Sequence, residues 1–166
     1  FARKCEEAGV DAIVAEGFEA GGHNGREETT TLTLIPQVRR ATDLPVVAAG
    51  GIGSGEAMLA AMALGAEGVQ IGTLFALSAE SSASEAFKQR CLALDEGGTI
   101  LCLKKLSPTR LVRNGLFDKV AEAEARGANA EELRDILGKA ASKRGIFEGD
   151  TEQGELEIGQ IASSVD

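Results

Sequence analysis

Tryptophan and tyrosine are absent, and six Phe supply all the aromatic content, 4% of 166 residues. With so few rings there is no platform on which unpaired bases could stack, so a single-stranded nucleic-acid surface of the usual kind is excluded. Positive charge is also scarce. Seventeen Lys and Arg stand against 26 Asp and Glu, a formal net charge of −9, which argues against a polyanion partner gripped by clustered cations, and so against nucleic acid. Cysteine occurs three times, as Cys5, Cys91 and Cys102, with no Cys-x-x-Cys spacing. Such scattered thiols support neither a metal site nor a disulfide framework and fit reduced cysteines in a cytoplasmic protein. No apolar run approaches the roughly 20 residues that span a bilayer, and the first residues do not resemble a signal peptide, so no membrane partner is expected.

What the chain does have is glycine, 21 residues of it, within a hydrophobic fraction of 43%. Many glycines with few aromatics suit an α/β protein with tight strand-to-helix turns and a core of Ala, Val, Ile and Leu. The order of segments agrees. Phe1 to Gly9 reads as the end of a helix closed by glycine, as though the sequence began inside an element. Val10–Ala15, Val46–Ala49 and Gly68–Gly72 are short apolar runs of the kind found in buried parallel strands. Between them, Thr31–Ala41 puts Leu34, Ile35 and Val38 on one helical face, with Pro36 expected in the first turn, and Glu56–Leu64 is an Ala- and Met-rich helix stopped by Gly65. Three strand–helix units in a row, at about 30 residues each, predict a parallel sheet with right-handed crossovers. After Leu77 the pattern becomes mainly helical: Glu85–Leu94, then Gly115–Arg126, then a helix from Ala130 to about Ala141 capped by Asn129 with Glu132 as capping-box partner. Thr99–Leu106 reads as extended and Gly149–Glu155 as an acidic loop. The expected organisation is therefore an α/β part over residues 1–80 and a helical extension, 81–166, packed on it.

Candidate chemistry lies directly after the strands, where α/β enzymes place it. The loop after the first strand holds Gly21-Gly22-His23-Asn24-Gly25, and His23 is the sole histidine. An imidazole at a strand end, flanked by residues without side-chain cover, suits proton abstraction or donation. Gly50-Gly51 and Gly72-Thr73 end the next two strands and precede helical turns. Backbone N–H groups there, beside a Thr hydroxyl, can hold a phosphate dianion without a basic side chain. Asp11, Glu16 and Glu19 flank the first loop and read as solvated or capping carboxylates more readily than as an acid–base pair. Lys104, Lys105, Arg110 and Arg113 form a local basic cluster that reads as a solvated face or helix-end charge pairing more readily than as a contact to a substrate carbonyl or phosphate. No Ser/His/Asp set can be built, because Gly51-Ile-Gly-Ser-Gly55 has no histidine after it.

Three stretches, Ala15-Glu-Gly-Phe-Glu-Ala-Gly-Gly-His-Asn-Gly25, Pro45-Val-Val-Ala-Ala-Gly-Gly-Ile52 and Leu64-Gly-Ala-Glu-Gly-Val-Gln-Ile-Gly-Thr73, resemble the nitronate monooxygenase family, formerly called 2-nitropropane dioxygenases. The flavin-dependent enoyl-acyl carrier protein reductases II are close relatives. The likeness extends through Phe87-Lys88, Arg110–Asn114, Gly149-Asp150 and Gly159-Gln160. It implies an FMN-binding (β/α)8 TIM-type barrel, of which this chain would carry the last three βα units and the C-terminal helices. His23 falls on the family's catalytic histidine. The resemblance places Gly21, Gly51, Gln70, Gly72 and Thr73 on FMN contacts, the last four around the phosphate, with Glu16, Gly22, Gly50 and Ile71 beside them. It implies an alkyl nitronate as substrate with O2 as acceptor or, in the second case, an enoyl thioester with NAD(P)H as electron donor. Expected partners are a second copy in a homodimer and the N-terminal half of the barrel, without which the chain would be an inactive fragment. Two positions depart from the pattern. Glu16 stands where many members have Gln, and a carboxylate there disfavours an anionic reduced flavin unless it turns away or is neutralised. Ser84 stands where relatives often carry His.

Overall fold

A computed structural model describes residues 1–165. The helix α1 (Ala2–Glu7) leads into β1 (Ile13–Glu16), a two-residue strand β2 (Gly22–His23), and α2 (Thr31–Arg39). Next come β3 (Val46–Ala49), α3 (Gly55–Ala63), β4 (Gly68–Gln70) and α4 (Thr73–Leu77). The second half contains α5 (Glu85–Leu92), β5 (Thr99–Cys102), β6 (Thr109–Val112), α6 (Gly115–Ala125), α7 (Ala130–Leu137), α8 (Ala141–Ile146) and a 3-10 turn, Gln160–Ser164.

The three apolar runs form the parallel sheet that their composition predicts, in the order β1-β3-β4. Ile13 pairs with Val46 and Glu16 with Ala49, and Val47 to Ala49 pair with Gly68 to Gln70. The strand period of two sends Ala15, Val46, Ala48 and Val69 to one face, where α2 and α3 cover them through Ile35, Leu34, Val38, Ala61 and Leu64. Val14, on the other face, remains 53% exposed. Parallel sheets bury both faces when complete, and here helices lie on one. Both β1 and β4 are edges, so the sheet is open and does not close into a barrel among the described residues.

Pro36 sits in the second turn of α2, not the first. Leu32, whose carbonyl loses its partner there, is 65% exposed, and water can take the place of the missing N–H. Helix α3 starts at Ser54, whose Oγ accepts from the Ala57 amide. Asn129 and Glu132 form the expected capping box, but α7 stops at Leu137 and a separate α8 follows Gly138. Asn129→Ala should cost about 1 kcal/mol, read as a lower denaturant midpoint at unchanged slope.

The C-terminal region is less purely helical than expected. A second sheet, antiparallel and ordered β2-β6-β5, runs through it. Its central strand β6 carries no periodic signal, and its edge strand β2 comes from the loop after β1, so the two halves of the sequence share one sheet. Leu103, Leu111, Val120 and Leu133 form the core beneath it, and Phe87, Cys91, Val112, Leu156 and Ile158 a further cluster beside the chain's last segment. Burial pushes the Cys91 and Cys102 thiols up to about 12, so both are protonated and unreactive at neutral pH. Among the described residues no helix is long and apolar enough to cross a membrane, and no group of three or more His, Cys, Asp or Glu could hold a metal ion.

Candidate functional site

The carboxyl ends of β1, β3 and β4 border an open cleft of about 310 Å3. Glu16, Gly21, Gly50, Gly51, Gln70, Gly72 and Thr73 all line it, so most residues singled out from sequence meet in one place. They meet because parallel strands point their C-terminal ends, and the loops after them, the same way. Ile71 is different: its side chain packs with the apolar cluster under α2 and α3.

The anion-binding character expected of the two glycine turns rests on backbone groups. Among the described residues, the amides of Gly51, Gly72 and Thr73 have no intramolecular acceptor. The Thr73 hydroxyl accepts from the Gly159 amide at 3.0 Å, which orients it and leaves its own hydrogen free. A Cβ built on Gly72 meets nothing within 4 Å, so this wall of the cleft is left open by residue choice, not by crowding.

The first loop is held from several sides. Glu19 turns away from the cleft's chemistry and braces α2: its carboxylate accepts from the Thr31 amide at 3.1 and 3.0 Å and lies 3.1 Å from the Thr31 hydroxyl. That hydroxyl donates to the Gly50 carbonyl at 2.7 Å, tying the first loop to the second. His23 does not line the cleft. It is exposed on β2, paired with Thr109 of β6, and reached from the cleft across Gly22. The Asn24 amide side chain donates to the Ala20 and Gly22 carbonyls at 3.0 and 2.9 Å, knotting the turn around it.

Glu16 does not turn away. It lines the cleft, and partial burial raises its carboxyl from the ordinary value. Arg110 is the clearest departure from expectation. It is not on a solvated face but 2% exposed, because two acceptors, the Phe18 carbonyl and the Thr99 hydroxyl, and the Phe18 ring take its polar and flat surfaces.

Sequence reasoning missed the far wall of the cleft. Glu157, Ile158, Gly159 and Ile161 of the last segment and Ile146 of α8 close it. The Gln160 amide donates to the Glu19 carbonyl at 2.9 Å, docking this tail on the first loop. A Cβ on Gly21 would lie 2.4 Å from the Ile158 carbonyl carbon. Gly21→Ala should therefore displace the tail and destabilise the fold by about 1–3 kcal/mol, visible as a lower Tm. Glu157 Oε1 and Glu155 Oε2 both contact the Ser142 hydroxyl, at 2.8 and 2.9 Å, and burial raises the Glu155 carboxyl.

The nitronate monooxygenase family model matches residues 1–166. A probable nitronate monooxygenase of Staphylococcus saprophyticus is 37% identical over 153 residues, covering 84% of this chain and 43% of the relative. One from Staphylococcus aureus strain Newman is 44% identical over 104 residues, 58% of this chain and 29% of the relative. Among solved structures, FabK from Thermotoga maritima superposes with a TM-score of 0.91 at 40% identity, covering 99% of this chain and 52% of that one. A nitroalkane oxidase from Streptomyces ansochromogenes gives 0.77 at 36% identity, covering 99% and 50%. The chain thus spans less than half the length of these curated relatives and about half of the solved ones. It belongs to the nitronate monooxygenase family.

Proposed function

We propose that this chain supplies the last three βα units of a TIM-type barrel in an FMN-dependent oxidoreductase that oxidises alkyl nitronates with O2. The observation that carries the reading is the cleft itself: acceptor-free amides and an oriented hydroxyl at the ends of two adjacent parallel strands, beside the loop that leads to the only histidine. These groups fit a phosphate monoester. The amides of Gly51, Gly72 and Thr73 and the Thr73 hydroxyl would hold it, with Gln70 beside them and Gly21 and Glu16 nearer the ring. When bound, FMN supplies the electron transfer that no amino-acid side chain provides.

The protein's own residues then have distinct tasks. His23, exposed on its strand, takes or returns a proton at an imidazole nitrogen as the substrate's acidic C–H or nitronate carbon reacts. The tail around Ile158 and Ile161 keeps water from one side of the cleft. Partial burial raises the Glu16 carboxyl from its ordinary value, the direction that would ease the charge conflict of a carboxylate beside an electron-rich ring.

Reduction of an enoyl thioester with NAD(P)H is the second reading, since the Gly21-Gly22-His23 loop serves both activities in the resemblance above. Aerobic assays of the purified protein with propyl 3-nitronate, set beside NADH with crotonyl thioester, separate the two. O2 uptake with the nitronate is the expected result, and oxidation of reduced flavin by the thioester alone would sink the nitronate reading. An inert half-barrel is the reading of another class, and a visible spectrum showing bound flavin at near-unit stoichiometry counts against it.

A further inference from the structure

Arg110 is among the largest fully buried side chains in the protein, yet no carboxylate lies within ion-pair distance of it among the described residues. Burial lowers its pKa from the ordinary arginine value, while Glu19 and Glu28 act on it from farther away and favour the charge. An apolar side chain could fill the same space without the desolvation penalty. What it could not do is donate. Arg110 Nε and Nη2 both donate to the Phe18 carbonyl, at 3.1 and 2.7 Å. Nη1 donates to the Thr99 hydroxyl at 3.3 Å, and the guanidinium carbon lies 5.1 Å from the centre of the Phe18 ring. The backbone of the same residue is paired with Gly22. One residue of β6 therefore fastens both ends of the loop from Phe18 to Gly22, and the next residue in the chain is His23.

We propose that Arg110 is a positioning residue for His23, fixing the loop that carries the imidazole by holding the Phe18 carbonyl while its backbone holds Gly22. The proposal rests on the reading of His23 as the proton-handling group. Asn24 knots the turn locally, and Glu19 anchors the loop to α2, but neither links Phe18 to the strand on which His23 lies. The cross-link over 92 residues is Arg110's alone among these contacts.

Because the chain has one histidine, the His23 Cε1–H resonance can be followed by NMR without assignment ambiguity, free of any substrate. Arg110→Met is expected to shift and broaden that resonance and to lower kcat by about tenfold or more with a smaller change in KM. Arg110→Lys, which can still donate to the Phe18 carbonyl, should recover part of each effect. A folded Arg110→Met with the wild-type resonance and turnover overturns the proposal. Should that variant not fold, Thr99→Val and Phe18→Leu remove one support each and should shift the resonance less; an unmoved signal in both overturns it equally. A shifted signal in a protein that turns over neither nitronate nor thioester keeps Arg110's role and rejects the activity, so the two failures are distinguishable.

Discussion

Replacing His23 with alanine is expected to leave FMN bound and to lower turnover by about 10²-fold or more. The separation of the two effects follows from the geometry. The residues suited to hold a phosphate lie on the cleft walls after β3 and β4, whereas His23 lies on β2, off the cleft and exposed. Loss of its side chain removes no contact from the groups that face the cleft, and as an exposed residue it contributes little packing. The measurement is steady-state turnover alongside flavin content by absorbance. Unchanged turnover at full flavin occupancy would falsify the proton-handling role, and loss of flavin would mean that the imidazole acts in binding.

The second large effect concerns Gly72. Its Cβ position faces open space, and its backbone φ of −101° suits any L-residue. A leucine there should therefore leave the fold and its Tm nearly unchanged while filling the cleft and covering the acceptor-free amides beside it. FMN affinity is expected to fall by about 100-fold, which corresponds to roughly 2.7 kcal/mol. Gly21 offers the internal control. It lines the same cleft, but its open side is taken by the Ile158 backbone, so its alanine variant should lose stability. One glycine is small for a ligand and the other for the chain.

These two glycines also show how far the sequence could be read. Apolar runs of four to six residues announced β1, β3 and β4, and the parallel arrangement then brought Gly21, Gly51, Gln70, Gly72 and Thr73 together without further information. The capping box at Asn129 was equally plain, because its bonds are local. What escaped was nonlocal. A two-residue strand such as β2 has no period to detect, and its existence depends on β6, more than 80 residues away. Arginine type alone favours solvent, and Arg110 is buried only because the Phe18 carbonyl, the Phe18 ring and the Thr99 hydroxyl converge on it in the folded chain. The tail from Glu157 to Ile161 has no periodic pattern, and Gly159-Gln160, though part of the family likeness, does not announce the cleft wall it forms through single contacts to Glu19 and Thr73.

The ends of β3 and β4 are proposed to form a phosphate-holding cleft for FMN. Equilibrium titration of FMN, followed by quenching of flavin fluorescence, tests it most directly when run on the wild-type protein and on Gly72→Leu. Saturable quenching at one site is expected in the wild type, with loss of most of that affinity in a variant of equal Tm. Equal affinity in the two proteins, or no saturable binding in the wild type, would contradict it.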